Sequence, residues 1–382
     1  MAKEITRYIQ GKVKLALWGR AAGRCQFNGC NRPLYQSPIT KETVNISEAA
    51  HIYSFSKEGP RGWGPLITNK KKLNEIDNLM LMCHDCHKTI DEDKKGDKYS
   101  ASLLQHWKKE HEQRIWTVTG IALSNKSHVV FYGANIGVQK SPLQKSEAIS
   151  AMFPHKYPAN EEPIRLSMSS SLEDRDNHYW AAETEHLSAI FQQQIVPLID
   201  YSGSEHFSLF ALAPMPLLIK LGALFTDKIS VDAYQPIREP KTWQWQDEPD
   251  GFDFHVKRRE TKGGTPVLIL SLSAEIGISR VTDVLGEYID IWEIIPSLGF
   301  QHNDFLRAPA QLSKFRGLMR GVVEEITRLH GLSTALKIFP AIPVSCAVEL
   351  GRIRMPKASM PWVIYDQNNK MNGFIETIEI KE

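Results

Sequence analysis

The residue types with the clearest chemistry are four cysteines that form two close pairs. Cys25 and Cys30 enclose four residues, and Cys83 and Cys86 enclose two. Short loops of this kind let two thiolates reach one metal ion, and thiolates bind zinc well. The spacing therefore predicts a structural zinc site, because a tetrahedral ion closed by four thiolates has no open position for a substrate. The alternative is four unrelated buried thiols.

Three further polar residues lie between or beside these pairs, in the order His51, Asn78 and His87. Each one alone could be an ordinary core or surface side chain. Together they suit phosphodiester hydrolysis, which needs a water molecule deprotonated near neutral pH, a task for which imidazole is well matched. The reaction also needs a cation on the leaving oxygen, where negative charge develops.

The order and spacing of these residues resemble the HNH nuclease family over about residues 15–115. This resemblance implies an α+β domain of the ββα-metal type with the structural zinc. It also implies that His51 is the general base and that His87 binds a catalytic divalent ion, Mg²⁺ or a similar metal. Asn78 would hold either the imidazole or the hairpin loop in place.

One position departs from that family pattern. Many members carry Asp, Glu or His directly before the first histidine as a second metal ligand, whereas this chain has Ala50. We therefore expect the second ligand elsewhere, with Glu48 as a candidate, or a metal that relies on water and substrate phosphate.

The charge of the chain is unevenly distributed. Residues 1–120 hold 20 Lys and Arg against 13 Asp and Glu, and the remainder holds 26 against 31. A basic front half suggests contact with a polyanion, although lysine-rich loops can simply solubilise a small domain. Candidate contacts to DNA phosphates lie in the loop after the first histidine; they are Lys57, Arg61, Lys70, Lys71 and Lys72. A solvated lysine turn is the alternative for any one of them.

The elements that must position these groups follow from periodicity. Residues 100–115 have apolar residues at helical spacing, and a boundary near residue 120 gives domains of 1–120 and 121–382. Beyond residue 179 strand-like runs alternate with helix-like runs, which predicts an α/β domain with a largely parallel sheet. The longest predicted helix is 309–330, with apolar residues on one face.

A weak internal repeat lies inside this second domain. Phe210 to Pro214 leads into a helix ending at Gly222, and Phe339 to Pro343 leads into a helix ending at Gly351. Leu221 and Leu350 also correspond, so the offset is 129 residues at all four shared positions, which chance could also produce. Two similar α/β halves would face each other across a crevice, where open parallel sheets bind ligands.

Several segments of this second domain are similar to SAVED domains. They are HFSLFALAPMPLLIKLG from His206 to Gly222, WQW from Trp243 to Trp245, FPAIP from Phe339 to Pro343, ELGR from Glu349 to Arg352, and the tail from Met355 to Asp366. The match spans about residues 127–382. It implies two fused Rossmann-like (CARF-like) halves that bind a cyclic di- or trinucleotide. An HNH domain followed by SAVED resembles an effector nuclease of the bacterial CBASS anti-phage systems.

Residue types suggest roles in the ligand pocket. Tyr234, Trp243 and Tyr365 could stack on bases, an interaction of roughly 1–3 kcal/mol per base. Lys357, and either Arg352 or Arg354, could neutralise phosphates. The helix starts after Pro214 and Pro343 could offer backbone N–H groups to phosphate oxygens. Core packing is the alternative for each aromatic ring.

The composition of the chain argues against several classes of protein. The 382 residues are 42% hydrophobic and 24% charged, an ordinary globular balance. Five cysteines are too few for a disulfide scaffold, and the first ten residues lack the apolar core of a secretory signal. The apolar stretch from Phe207 to Phe225 contains Pro214 and Lys220, so a strand followed by a helix explains it better than a membrane span. We expect a cytoplasmic protein without membrane contact.

The function expected from the sequence is a DNA endonuclease that acts on double-stranded DNA and is switched on by a cyclic oligonucleotide. Cutting both strands with one site per chain requires paired domains, so a ligand-promoted homo-oligomer, from dimer to tetramer, is expected. Two alternatives remain: a DNA-binding regulator that does not cut, and a restriction-type nuclease that senses modified DNA. The acidic balance of residues 121–382 argues against the last, because a DNA-reading domain should be basic.

Overall fold

The computed structural model describes residues 7–134, 143–167, 178–202, 206–297, 299–356, 358–368 and 373–381. The chain divides into two compact units, Met1–Ile121 and Ala122–Glu382. In the described parts of the chain, no helix is both long enough and apolar enough to cross a membrane. The apolar stretch from Phe207 to Phe225 is, as predicted, a strand followed by a helix.

The amino-terminal unit is built around a two-stranded sheet. Its elements are α1 (Gly11–Ala21), β1 (Ser47–His51), β2 (Leu79–Cys83), α2 (His84–Glu92) and α3 (Ala101–Thr119). β1 and β2 are antiparallel, with Ser47 opposite Cys83 and His51 opposite Leu79. α2 follows β2 without a connecting loop, so the end of β2 lies directly beside the first turn of α2.

Local sequence explains these elements. All five residues of β2 are buried, and together with Leu17 and Leu104 they form the core of the unit. α3 begins after Ser100, whose side chain accepts a hydrogen bond from the Leu103 N–H, as expected of a helix cap. Ala50 is fully buried in the same core. This methyl group therefore packs against the unit's interior and does not face a site.

The carboxy-terminal unit contains two sheets. The first part runs β3 (Lys126–Gly133), α4 (Lys145–Met152), β4 (Tyr157–Pro158), β5 (Ile164–Arg165), α5 (Tyr179–Gln194), α6 (Val196–Ser202), β6 (His206–Leu212), α7 (Met215–Phe225) and β7 (Ser230–Ala233). Its strands lie in the order β4-β3-β6-β7, with β5 also paired to β3, and all these pairings are parallel.

The second part runs β8 (Phe254–Arg259), β9 (Thr265–Ser271), α8 (Ile278–Leu285), β10 (Ile289–Pro296), α9 (Pro309–His330), β11 (Leu336–Ala341), α10 (Val344–Arg352), β12 (Trp362–Asn368) and β13 (Gly373–Ile380). The strand order is β13-β12-β11-β9-β10-β8. The four central strands are parallel, and the edge strands β8 and β13 are antiparallel to their neighbours. A parallel sheet buried on both faces explains the continuous apolar runs of β9 and β11.

The two parts share the arrangement that the internal repeat predicts. β6 leads through Pro214 into α7, and β11 leads through Pro343 into α10. α7 and α10 pack directly against each other, and their apolar residues belong to one core with those of both sheets. The two parts are therefore joined through a pair of corresponding helices.

Candidate functional site

The four predicted zinc ligands come together. The Sγ atoms of Cys25, Cys30, Cys83 and Cys86 all lie within 4.8 Å of one another. The sulfurs of Cys30 and Cys83 are 4.0 Å apart. Sulfurs bound tetrahedrally at about 2.3 Å would be separated by about 3.8 Å. Burial raises the pKa of Cys25 to about 12, so a nearby cation would be needed to keep that sulfur a thiolate at neutral pH. The donor set therefore fits a tetrahedral metal ion.

His51 lies at the end of β1 with its ring partly buried. Its Nε2 is 2.9 Å from Oδ1 of Asn74, a residue that the sequence analysis did not select. The ring also meets Phe55 edge-on, with centroids 6.0 Å apart. Burial lowers the pKa of His51, and the charge of His87 lowers it further, against an opposing effect of Asn74. His51 is therefore a neutral imidazole near pH 7, as a general base must be.

Asn78 is buried and holds the loop after β1. Its Oδ1 accepts the Tyr53 N–H at 2.8 Å, and its Nδ2 donates to the Tyr53 carbonyl at 3.0 Å and to the Leu73 carbonyl at 2.9 Å. Of the two roles considered for Asn78, the contacts correspond to fixing the loop. The residue hydrogen-bonded to the His51 ring is Asn74, whose Oδ1 accepts.

His87 is held between two carboxylates. Its Nδ1 contacts Glu48 Oε2, and its Nε2 lies 3.4 Å from Asp91 Oδ2. The other Glu48 oxygen is 2.6 Å from His84 Nδ1. Hydrogen bonds from His84, and then from His87, lower the pKa of the Glu48 carboxyl, so Glu48 is ionised. Glu48 therefore contacts the ring nitrogen of His87 that does not face Asp91.

Asp91 is in turn fixed by Arg61. Arg61 NH2 lies 3.4 Å from Asp91 Oδ1, which leaves Oδ2 directed toward His87. The Arg61 side chain is only 3% exposed, and its Nε and NH1 donate to the carbonyls of Ile52 and Ile90 at 2.6 and 2.9 Å. The prediction that Arg61 contacts DNA phosphates is therefore wrong, because its donors are turned inward and already hydrogen-bonded.

His87 Nε2 and Asp91 Oδ2 lie 3.4 Å apart, close enough for both atoms to bind one cation. An imidazole with a carboxylate is a common ligand combination for divalent ions. A carboxylate on the second ring nitrogen, as Glu48 provides, orients such a ligand and increases its basicity. Glu48 is thus better explained as the group that orients His87 than as the missing ligand. Sequence reasoning missed Asp91, although its i+4 spacing from His87 on a helix was the available signal.

The predicted DNA-contact lysines are accessible. Lys57, Lys71 and Lys72 are exposed, and the Lys70 Nζ lies 3.9 Å from the ring centroid of Trp63. Residues Lys70–Asn74 form a short 3-10 turn that ends at the partner of His51. The lysines therefore lie on the same turn as Asn74, and their contact with DNA stays a prediction.

In the carboxy-terminal unit, the two tyrosines predicted to stack on bases are packed in the core. Tyr234 stacks on Phe210 at 4.4 Å, and Tyr365 stacks on Phe339 at 4.5 Å. The tyrosines are only 5% and 4% exposed. Phe210 and Phe339 are corresponding positions of the internal repeat, so the two stacked pairs are equivalent core contacts. The structure does not support base stacking by either tyrosine.

Arg352 is also a structural residue. Its guanidinium donates to the carbonyls of Thr226, Ile229 and Val231 at 3.2, 2.7 and 3.2 Å and to Glu349 Oε1 at 2.7 Å. These contacts tie α10 to the connection between α7 and β7. The prediction that Arg352 neutralises ligand phosphates is wrong, because these bonds already engage every nitrogen of its buried guanidinium. Lys357, its predicted companion, lies outside the described residues.

The first turns of α7 and α10, which follow Pro214 and Pro343, have fewer free backbone N–H groups than the prediction of phosphate binding requires. Pro343 precedes α10, whose Ser345 N–H and hydroxyl both donate to Gln235 Oε1, at 3.2 and 2.9 Å. Gln235 thus occupies a first-turn amide that could otherwise bind a phosphate. At α7, Pro216 has no N–H, and Leu217 N–H bonds to the Pro214 carbonyl.

Two cavities in this unit contain predicted residues. One, of about 520 Å³, is lined by Trp243 and by the exposed cations Arg238 and Lys241, at the end of β6. The Trp243 ring is 5% exposed and meets Phe210 edge-on. The other, of about 500 Å³, is lined by Tyr234, Asp232, Trp245, Arg316 and Glu349. Arg238 and Lys241 were missed in the sequence because each is an isolated cation in a loop.

Comparison with known proteins identifies both units. The family model described as "HNH endonuclease" matches residues 25–93, which contain the cysteines, His51, Asn78 and His87. The family model described as "SMODS-associated and fused to various effectors sensor domain" (SAVED) matches residues 189–380. The chain belongs to the SAVED family and carries an HNH endonuclease domain at its amino terminus. No curated protein matches the chain.

Solved structures of SAVED/CARF-domain receptors are similar to the chain at low identity. The Cap4 receptor of Acinetobacter baumannii has 13% identity and a TM-score of 0.41, with 74% of this chain and 54% of that chain covered. Its complex with the cyclic trinucleotide 3′3′3′-cAAA has 11% identity and a TM-score of 0.42, covering 78% and 66%. The Moraxella osloensis Cap4 receptor has 13% identity and a TM-score of 0.36, covering 78% and 64%. The chain thus spans between about half and two thirds of these receptors.

Proposed function

We propose that this protein is a metal-dependent endonuclease that cuts double-stranded DNA when a cyclic oligonucleotide binds its SAVED domain, as a CBASS effector in anti-phage defence. The observation that carries the proposal is the joining, in one chain, of an HNH domain that contains His51, His87 and Asp91 to a sensor domain. The SAVED family is described as fused to various effectors, and the HNH domain is the effector in this chain.

In the nuclease domain, His51 would take the proton from the attacking water. His87 and Asp91 would hold a divalent ion such as Mg²⁺, which supplies positive charge at the leaving oxygen. Glu48 and Arg61 keep those two side chains in place through the contacts described above. Asn78 fixes the loop that carries Tyr53, and Lys57, Lys70, Lys71 and Lys72 would contact the DNA backbone.

The four cysteines would bind a structural zinc ion. Their sulfur spacing matches a tetrahedral thiolate site, and all four cluster where β2 meets α2. His87 follows Cys86 directly on α2, so this zinc would fix the start of the helix that carries His87 and Asp91. The zinc is therefore assigned a role in placing the catalytic groups without contacting the substrate.

In the SAVED domain, the proposed ligand site is the cavity lined by Trp243, Arg238 and Lys241. It presents two exposed cations, which suit the phosphates of a cyclic oligonucleotide, and the largely buried Trp243 forms part of its wall. Its position at the end of a parallel strand is where α/β sheets bind ligands. The two α/β parts of the unit would be the Rossmann-like halves.

Activation would proceed through self-association in the cytoplasm. One HNH site cuts one strand, so double-strand cleavage needs two sites close together, and ligand binding would favour an oligomer. A ligand can shift this equilibrium only by binding the assembled state more tightly than the free chain.

The test is cleavage of plasmid DNA by the full-length protein, with and without a library of cyclic di- and trinucleotides. We expect cleavage only with one or a few library members and with a divalent metal. His51→Ala should bind the ligand and DNA but lose about 100- to 10,000-fold in rate. DNA binding without cleavage under every condition would favour the DNA-binding regulator.

A further inference from the structure

We propose that Asn74 is a positioning residue that selects the tautomer of His51 and so makes it a base. This inference rests on the proposed nuclease function. Asn74 Oδ1 lies 2.9 Å from His51 Nε2. Asn74 ends the 3-10 turn of Lys70–Asn74, which packs beside the loop held by Asn78.

A second hydrogen bond sets the direction of the first. Asn74 Nδ2 lies 3.3 Å from the main-chain carbonyl oxygen of Tyr8, which can only accept. The amide nitrogen of Asn74 must therefore face Tyr8, and the amide oxygen must face His51. Because that oxygen is also only an acceptor, His51 Nε2 has to carry the proton.

The chemical consequence lies on the other ring nitrogen. A neutral imidazole has one N–H and one lone pair, so a proton on Nε2 leaves the lone pair on Nδ1. Nδ1 is then the atom that can take a proton from water. The edge-on contact with Phe55 limits rotation of the same ring. The charged groups that act on His51 are Arg7, His87 and Asp91, and they act through their charge, whereas Asn74 is hydrogen-bonded to Nε2.

Asn78 cannot take over this function. Its oxygen accepts the Tyr53 N–H, and its nitrogen donates to two main-chain carbonyls. The two asparagines therefore have different contacts: Asn78 holds the loop after β1, and Asn74 holds the His51 ring. A purely structural residue would affect folding, whereas Asn74 should affect the protonation pattern of one ring.

The tautomer can be read directly by nuclear magnetic resonance on the full-length protein with ¹⁵N-labelled histidine, without DNA or ligand. The His51 signals are assigned by their loss in His51→Gln. We expect a protonated Nε2 and an unprotonated Nδ1 in the wild type and in Asn74→Asp, which keeps an acceptor. Asn74→Leu should give a mixture of tautomers or the reverse one. A wild-type His51 protonated on Nδ1 would overturn the proposal, whatever the variants do.

Cleavage under activating conditions gives the second readout. Asn74→Leu should lower kcat by about 10- to 100-fold with little change in KM, and Asn74→Asp should keep most of the activity. The matched control is Asn69→Leu, the same change at an exposed position just before the same turn. An unchanged kcat in Asn74→Leu would also overturn the proposal. If His51→Ala cleaved as fast as wild type, the nuclease roles would fail instead, and the tautomer measurement would still decide on Asn74.

Discussion

Gly351 on α10 lies so close to Gly222 on α7 that neither position has room for a side chain. A Cβ atom on Gly351 would lie 2.9 Å from the Gly222 Cα and 2.0 Å from the Ile219 carbonyl oxygen. A Cβ on Gly222 would lie 2.0 Å from the Val348 carbonyl oxygen. These glycines are the last shared positions of the 129-residue repeat, so the repeat marks the point where the corresponding helices cross.

Gly351→Ala should therefore destabilise the SAVED domain, although alanine ordinarily favours a helix over glycine. The clash is with backbone atoms, which cannot move aside, so we expect a loss of at least about 1–3 kcal/mol in the free energy of unfolding. Gly321→Ala is the matched control, because Gly321 lies inside α9 with open space around it. The control should stabilise by up to about 1 kcal/mol. Equal thermal unfolding of the two variants would contradict the close crossing.

Cys83→Ser should remove the structural metal and with it the fold of the HNH domain. A structural zinc can contribute roughly 10–16 kcal/mol of apparent binding free energy. That is comparable to the whole free energy of unfolding of a typical domain, so the unit should not stay folded without it. We expect insoluble or protease-sensitive protein for this variant and one zinc per chain for the wild type by elemental analysis. Cys346→Ala, at the remaining cysteine in α10, should keep one zinc per chain. Well-folded wild type without zinc would refute the assignment.

Asp91→Asn should raise the metal concentration needed for cleavage. An amide binds a divalent ion more weakly than a carboxylate. Changing a residue that only supports a metal ligand typically costs about 10- to 100-fold in metal affinity or activity, so we expect a loss of at least about 10-fold for a ligand. The measurement is a Mg²⁺ titration of cleavage under activating conditions. Asp85→Asn, at an exposed position on the same helix, is the control and should leave the titration unchanged. Identical midpoints for wild type and Asp91→Asn would exclude Asp91 as a ligand.

The rate of cleavage should stay constant as the pH falls to the ordinary pKa of histidine, about 6.5, and should decline only below that pH. Burial lowers the pKa of His51, so the imidazole remains neutral and able to accept a proton below a pH of about 6.5. A bound divalent cation nearby would act in the same direction. Single-turnover rates at saturating metal should show an acid limb with a midpoint below about 6.5. A midpoint above that value would show that burial does not control this residue.

The sequence predicted most of the HNH site because its residues cluster along the chain. Cys83, Cys86 and His87 lie within one strand–helix junction, and their spacing alone brings them together. Asn74 and Asp91 were missed for different reasons. Asn74 sits at the end of a lysine-rich turn with no periodicity, and Asp91 has an ordinary helical position. Only the folded domain shows that Asn74 contacts His51 and that Asp91 faces His87.

The predictions for the SAVED domain were better for its elements than for its pocket. The repeat predicted the succession of β6 and α7 and of β11 and α10, and the apolar face of residues 309–330 predicted α9, because buried strands and one-sided helices leave strong apolar patterns. The edge strands β8 and β13 and the helices α4 and α5 were missed, since their exposed faces carry mixed residues. The residues of the ligand pocket were predicted from residue type alone, with aromatic residues expected to contact bases and basic residues expected to contact phosphates. Tyr234, Tyr365 and Arg352 turned out to be core residues, which sequence alone does not distinguish from pocket residues.

The measurement that tests the account most directly is a titration of the full-length protein with the activating cyclic oligonucleotide, in which sedimentation and plasmid cleavage are followed together. We expect a nearly silent protein without ligand, and a rise in mass and cleavage over the same ligand range. Lys241→Ala, which removes an exposed cation from the proposed cavity, should shift both curves to higher ligand concentration, whereas Lys228→Ala should shift neither. Full cleavage by a ligand-free monomer, or ligand binding that changes neither mass nor activity, would contradict a ligand-gated nuclease.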